Sequence, residues 1–111
     1  MKKKEFIDIN DTKALEELIA RSHKEPVILF KHSTACPISA AAYNEMLQVP
    51  NDVSLVIVQR ARDVSQEVAK RTGVRHESPQ TIILRNGEAV WNRSHWSITA
   101  EEVETAFRQY T

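Results

Sequence analysis

The stretch Pro26-Val27-Ile28-Leu29-Phe30, running directly into Lys31-His32-Ser33-Thr34-Ala35-Cys36-Pro37-Ile38-Ser39, decides the fold. A continuous apolar run bounded by polar residues is the pattern of a strand covered on both faces, which predicts a central position for Pro26–Phe30. After Ser39 come Ala40, Ala41, Ala42, Glu45, Met46 and Leu47, a helix-favouring composition. Pro37 suits the first turn of that helix, where its missing N–H would have no partner anyway. Cys36 is therefore expected at, or next to, a helix N-terminus that directly follows a strand.

Working outward, Phe6 to Ile9 reads as a short first strand, and Asn10 or Asp11 offers a side-chain oxygen to cap a helix carrying Leu15, Leu18 and Ile19 inward. Val53 to Val58 is a second apolar strand, and two parallel strands joined by a helix form a right-handed βαβ unit. Asp63 with Gln66 three residues on predicts a capping box, opening a helix that ends near Gly73. Thr81–Leu84 and Glu88–Trp91 flank Asn86-Gly87, the strongest short signal for a two-residue hairpin. Thr99 with Glu102 predicts a second capping box, and Val103, Ala106, Phe107 and Tyr110 supply the last helix with an apolar stripe.

The resulting order is β-α-β-α-β-α-β-β-α, a central mixed sheet flanked by helices. Several α/β folds share that order. The cysteine at the strand-to-helix turn, together with Ser78-Pro79 just before the hairpin, narrows the expectation to a thioredoxin-like fold, a single domain over residues 1–111.

Composition sets the outer limits. At 111 residues, with 41% hydrophobic and 27% charged side chains, the chain matches an ordinary globular domain and has no visible repeat or linker. Fifteen basic against fifteen acidic residues leave no overall pull toward nucleic acid or an anionic membrane. The short run Lys2-Lys3-Lys4 reads as a solvated terminus. No apolar segment approaches the ~20 residues of a membrane span, so a cytoplasmic protein is expected. One cysteine makes no internal disulfide, and His23, His32, His76 and His95 are scattered without ligand spacing, so no metal site is expected.

The chemistry centres on Cys36. Thiolates, not thiols, attack disulfides, and the unpaired N–H groups and positive dipole end of a helix N-terminus favour a negative sulfur. Cys36-Pro37-Ile38-Ser39 has C-x-x-C spacing with a hydroxyl in place of the second sulfur. Ser39 cannot resolve a mixed disulfide, so a monothiol exchange cycle is expected, with the captured thiol passed to a second molecule. The plain alternative is an inert core thiol. Around Cys36, the candidate substrate-contacting residues are Ser33, Thr34, Pro37 and Ser39. Ser78 and Pro79 join them, since a cis proline beside the cysteine would let the Ser78 backbone pair with an extended substrate. Lys31 and His32 add positive charge only if they turn toward the sulfur. His76 and Glu77 are cleft or plain surface residues, and Trp91, His95 and Trp96 form either a substrate surface or the edge of a core.

These residues also carry a family resemblance. Phe30-Lys31-His32-Ser33, Cys36-Pro37-Ile38-Ser39-Ala40, His76-Glu77-Ser78-Pro79-Gln80, Asn86-Gly87, Val90-Trp91 and His95 resemble the monothiol bacilliredoxins, over nearly the whole chain. The resemblance implies a bacterial, cytoplasmic thioredoxin-fold protein with Cys36 as nucleophile. It implies S-bacillithiolated proteins as substrates and bacillithiol as co-substrate, with no permanently bound cofactor. Two other readings stay open: a non-catalytic stress adaptor that merely accepts the thiol modification, and an iron–sulfur cluster carrier like the monothiol glutaredoxins. Against the carrier, those proteins have C-G-F-S where Pro37 and Ile38 stand here.

Overall fold

The computed structural model describes residues 4–111. Its strands are β1 (Phe6–Asp8), β2 (Val27–His32), β3 (Val53–Ile57), β4 (Gln80–Arg85) and β5 (Glu88–Ser94), and its helices are α1 (Thr12–Arg21), α2 (Pro37–Gln48), α3 (Arg62–Thr72) and α4 (Ala100–Gln109). A 3₁₀ turn, His95–Ser97, precedes α4. Sheet order is β1-β3-β2-β4-β5, with β1, β3 and β2 parallel, β4 antiparallel to β2, and β5 antiparallel to β4. The expected element order holds, and the expected central strand is central.

Strand β2 does more than its apolar run foretold. It continues through Lys31 and His32, and all six of its residues are buried. Successive side chains point to opposite faces, so Val27 and Leu29 join the layer under Leu15 and Leu18 of α1 and Val64 and Val68 of α3. Ile28 and Phe30 join the other layer, with Ala42 and Met46 of α2 and Val103 and Ala106 of α4. One strand thus anchors both cores.

The helix ends follow their local chemistry, with one correction. Asp11 caps α1, accepting from the Ala14 N–H at 2.8 Å, and Thr99 caps α4, accepting from the Glu102 N–H. The Asp63–Gln66 box does not form. Helix α3 begins two residues earlier, at Arg62, with Ala61 as its N-cap and no side-chain capping bond. Ala61 is buried in the first core layer, so packing fixes the entry and leaves Asp63 in the first turn, where its charge suits the helix dipole. Gly73 closes the helix in the left-handed conformation, at φ 71°.

Asn86 and Gly87 both have positive φ, 56° and 76°, as a two-residue hairpin turn of this hand requires. Both strands of the hairpin run further than expected, and a register shift between Ile83 and Leu84 lets β5 bulge. Phe107 and Tyr110 reinforce it: the Tyr110 hydroxyl donates to the Val90 carbonyl at 3.1 Å. Of the basic N-terminal run, Lys2 and Lys3 lie outside the described residues. Lys4 is not a free solvated end: its ammonium donates to the carbonyls of Met46 and Val49 at the close of α2. Among the described residues no helix is long and apolar enough to cross a membrane.

Candidate active site

Cys36 is the N-cap residue of α2, with extended backbone (φ −115°, ψ 123°) and Pro37 at the first helical position. Cys36 is partly exposed and forms no disulfide. Placement follows from two local facts: β2 ends at His32, and Pro37 forbids the helix from starting any earlier without losing its fit. The first N–H groups of α2 have no intrahelical acceptor. They and the positive dipole end adjoin residue 36, whose side chain makes no capping bond to them.

The loop between strand and nucleophile is held from beneath by Ser39. Its side chain is fully buried, and its hydroxyl oxygen accepts from the Ser33 N–H at 2.9 Å while pairing with His32 Nδ1 at 2.7 Å. His32 in turn stacks on Phe30 and meets Tyr43 at a tilt, with centroids 5.5 and 5.0 Å away. Burial holds the His32 imidazole below its ordinary pKa, against a smaller upward pull from the Ser39 contact. Ser39 had been expected among the residues that touch substrate. Its burial makes it a positioning residue for the loop.

From the outer side Gln59 clamps the same loop. Its amide donates to Ser33 Oγ at 2.7 Å, and its carbonyl accepts from the Thr34 N–H at 3.4 Å. Ser33 is half-buried, and Thr34 and Pro37 are exposed beside the sulfur. The Ser78–Pro79 peptide is cis. Pro79 is buried and its carbonyl accepts from the His95 N–H at 3.0 Å, which ties the loop to the 3₁₀ turn. The Ser78 hydroxyl is buried without a partner among the described residues.

Neither Lys31 nor His32 hydrogen-bonds the Cys36 sulfur. They point to opposite faces of the sheet, and the Lys31 ammonium, fully buried, donates to the Ser65 carbonyl and to His76 Nδ1, both at 3.1 Å. Trp91 is partly buried against the second core and carries the Arg93 guanidinium on its ring, so it closes a core edge. Trp96 is 71% exposed. Gln59 escaped the sequence reading, although its position just past the carboxyl end of β3 is where open α/β sheets place ligand-contacting residues.

Removing the Ser39 hydroxyl tests the loop support. Ser39→Ala leaves the Ser33 N–H and His32 Nδ1 without partners in a buried setting, and a loss of about 1–3 kcal/mol in urea unfolding is expected. Acid acts on both faces of the sheet. His32 and His76 both sit below their ordinary pKa, so an unfolded chain takes up protons below about pH 6.5 that the folded chain refuses. Their stability contribution is full above that pH and falls away as pH drops through it. Urea midpoints at pH 7.5 and 5.5 should show the loss, and His32→Phe should reduce it.

The family model for monothiol bacilliredoxin BrxC matches residues 7–103. The chain belongs to the monothiol bacilliredoxin family. A solved thioredoxin-fold structure, proposed as an oxidoreductase, is 38% identical to this bacilliredoxin, covering 90% of this chain and 91% of its own, with a TM-score of 0.83. Thioredoxin of Fasciola hepatica is 11% identical, covering 96% of this chain and 100% of its own at TM-score 0.73. Malassezia sympodialis thioredoxin is 14% identical, covering 99% and 94% at TM-score 0.72. The two thioredoxins share the fold alone. Family and fold together make this bacilliredoxin a thiol-redox protein, and Cys36 is its one cysteine.

Proposed function

We propose that the protein removes bacillithiol from S-bacillithiolated proteins by monothiol exchange at Cys36. The observation that carries this reading is the pairing of one partly exposed cysteine at the N-cap of α2 with a buried, hydrogen-bonded Ser39 where a second sulfur would stand. The Cys36 thiolate attacks the bacillithiol sulfur of the mixed disulfide. That S–S bond breaks, a new one forms to Cys36, and the repaired protein leaves as a thiolate that takes a proton from water. A second bacillithiol thiolate then attacks the bacillithiol sulfur on Cys36. It releases bacillithiol disulfide and restores the Cys36 thiolate, so the net electron donor is the small thiol.

Thr34, Pro37 and the Ser78–Pro79 loop form the contact surface in this reading, with Ser33 and Ser39 holding the loop in shape. The helix N-terminus stabilises each thiolate as it develops. The test is intact-protein mass spectrometry of a bacillithiolated test protein mixed with the bacilliredoxin, untreated or capped beforehand with iodoacetamide. The adduct mass is expected to move onto the untreated protein only. Equal loss of the adduct from both mixtures would exclude the reaction.

A further inference from the structure

Beside the nucleophile loop lies a groove of about 570 Å³, in the size range of small-molecule sites. Gln59, Arg62, Ser65, Gln66 and His76 supply its polar lining, and the remainder is aliphatic. None of the lining residues carries a carboxylate. Glu67 of the same helix is turned to Arg71, at 2.9 Å, and Glu77 lies 3.9 Å from His95. Arg62 makes no ion pair among the described residues. The groove is therefore a one-sided site, rich in donors and cationic.

The buried lysine sharpens that character. An ammonium can only donate, so the contact at 3.1 Å from Lys31 makes His76 Nδ1 an acceptor, and the Ser65 hydroxyl, 3.0 Å from the same nitrogen, agrees with it. Burial and the Lys31 charge hold His76 below its ordinary pKa, outweighing a smaller upward pull from Glu77. The ring is then neutral at physiological pH with its proton on Nε2, and that N–H has no partner among the described residues. Position completes the case. Gln59 lines the groove and clamps Ser33 and Thr34, and His76 leads into the Ser78–Pro79 loop, so the groove borders the loop that leads to Cys36 and the segment that leads to the cis proline.

We infer that this groove binds the non-sulfur part of an anionic, hydroxyl-rich small thiol, its carboxylate on Arg62 and its oxygen acceptors on Gln59, Gln66 and the His76 Nε2–H. Under the function proposed above, on which the choice of thiol rests, the ligand is bacillithiol, a cysteinyl glucosaminyl malate. The groove makes Cys36 selective for adducts of that thiol over adducts of small neutral ones.

Two measurements decide it. The first compares wild type with Arg62→Glu, a change at an exposed position without an ion-pair partner, for the rate at which Cys36 takes adducts from one test protein carrying either bacillithiol or β-mercaptoethanol. The variant is expected to lose about tenfold or more on the bacillithiol adduct and to stay within about twofold on the mercaptoethanol adduct. Equal rates for wild type and variant on both adducts would overturn the groove assignment, and so would an equal loss on both. The second is NMR titration of wild type with S-methyl bacillithiol, which cannot exchange. Shifts centred on Gln59, Arg62, Gln66 and His76 are expected, whereas shifts elsewhere or none would overturn it. Binding in the groove without adduct transfer by wild type would instead sink the exchange reaction and leave the groove standing.

Discussion

Cys36→Ser is expected to abolish adduct transfer, down to the uncatalysed rate, while leaving the protein at least as stable as wild type. The two effects separate because the sulfur contributes chemistry and almost no cohesion. It is partly exposed and makes no side-chain capping bond. Serine at an N-cap is among the preferred residues, since its hydroxyl accepts from an N–H in the first turn, and the gain is typically about 1 kcal/mol. The backbone at residue 36 is already in the extended region that this capping needs. A hydroxyl at this site stays protonated and cannot displace a sulfur at neutral pH. Thermal unfolding alongside the transfer assay checks both halves. Residual transfer by the serine variant above the protein-free rate would show that another group reacts, and a marked fall in melting temperature would show that the thiol is a packing element.

The second large effect concerns Lys31→Met. The lysine side chain is wholly buried in the layer between the sheet and α3, with no carboxylate partner, and burial lowers its pKa from 10.5 to about 8. Between those two values the unfolded chain holds a proton that the folded chain has released. Stability therefore rises with pH across that window, and below pH 8 the full cost of burying the charge is present. The span corresponds to roughly 3 kcal/mol. Methionine nearly matches the side chain in length without the charge. Its two former partners stay satisfied, the Ser65 carbonyl by the helix ladder and His76 Nδ1 by the Ser65 hydroxyl. A gain of about 1–3 kcal/mol at pH 7 follows, in line with other replacements of buried charges by apolar residues, and the rise in stability between pH 8 and 10.5 should flatten. Urea unfolding across that range measures both. A variant less stable than wild type at pH 7, with the slope intact, would mean that the ammonium is compensated by contacts that outweigh its desolvation.

Much of this was legible in the residues, because several signals had a single physical solution. A proline one residue after a cysteine, between an apolar run and an alanine-rich stretch, leaves little choice but a sulfur at the mouth of a helix. Asn86-Gly87 left equally little choice for the hairpin. The reading failed where tertiary packing overrode local chemistry. Lys31 and His32 fall past the end of the expected strand, Pro26–Phe30, because charge and polarity mark the surface in most contexts. Here the strand carries both residues inside, and each spends its polar atoms on a protein partner, the Ser65 carbonyl and His76 for one and buried Ser39 for the other. Ser39 was misread for the same reason, since a hydroxyl two residues past Pro37 looks exposed until the helix is turned against the sheet. Asp63 with Gln66 matched a capping pattern, yet buried Ala61 had already fixed where the chain enters α3. The groove beside Gln59 had no sequence signature, because it is assembled from three separate segments of the chain.

Strand β2 sits between two neighbours and beneath two helical layers, and its last residue is only four positions from Cys36. Opening of the sheet begins at its margins, where β1 and β5 have a neighbour on one side only, and the middle yields last, with the whole molecule. The reactive sulfur is thus moored to the part of the chain that survives longest. As denaturing conditions mount, fraying at the periphery comes first, and thiol chemistry is among the last capacities the molecule gives up.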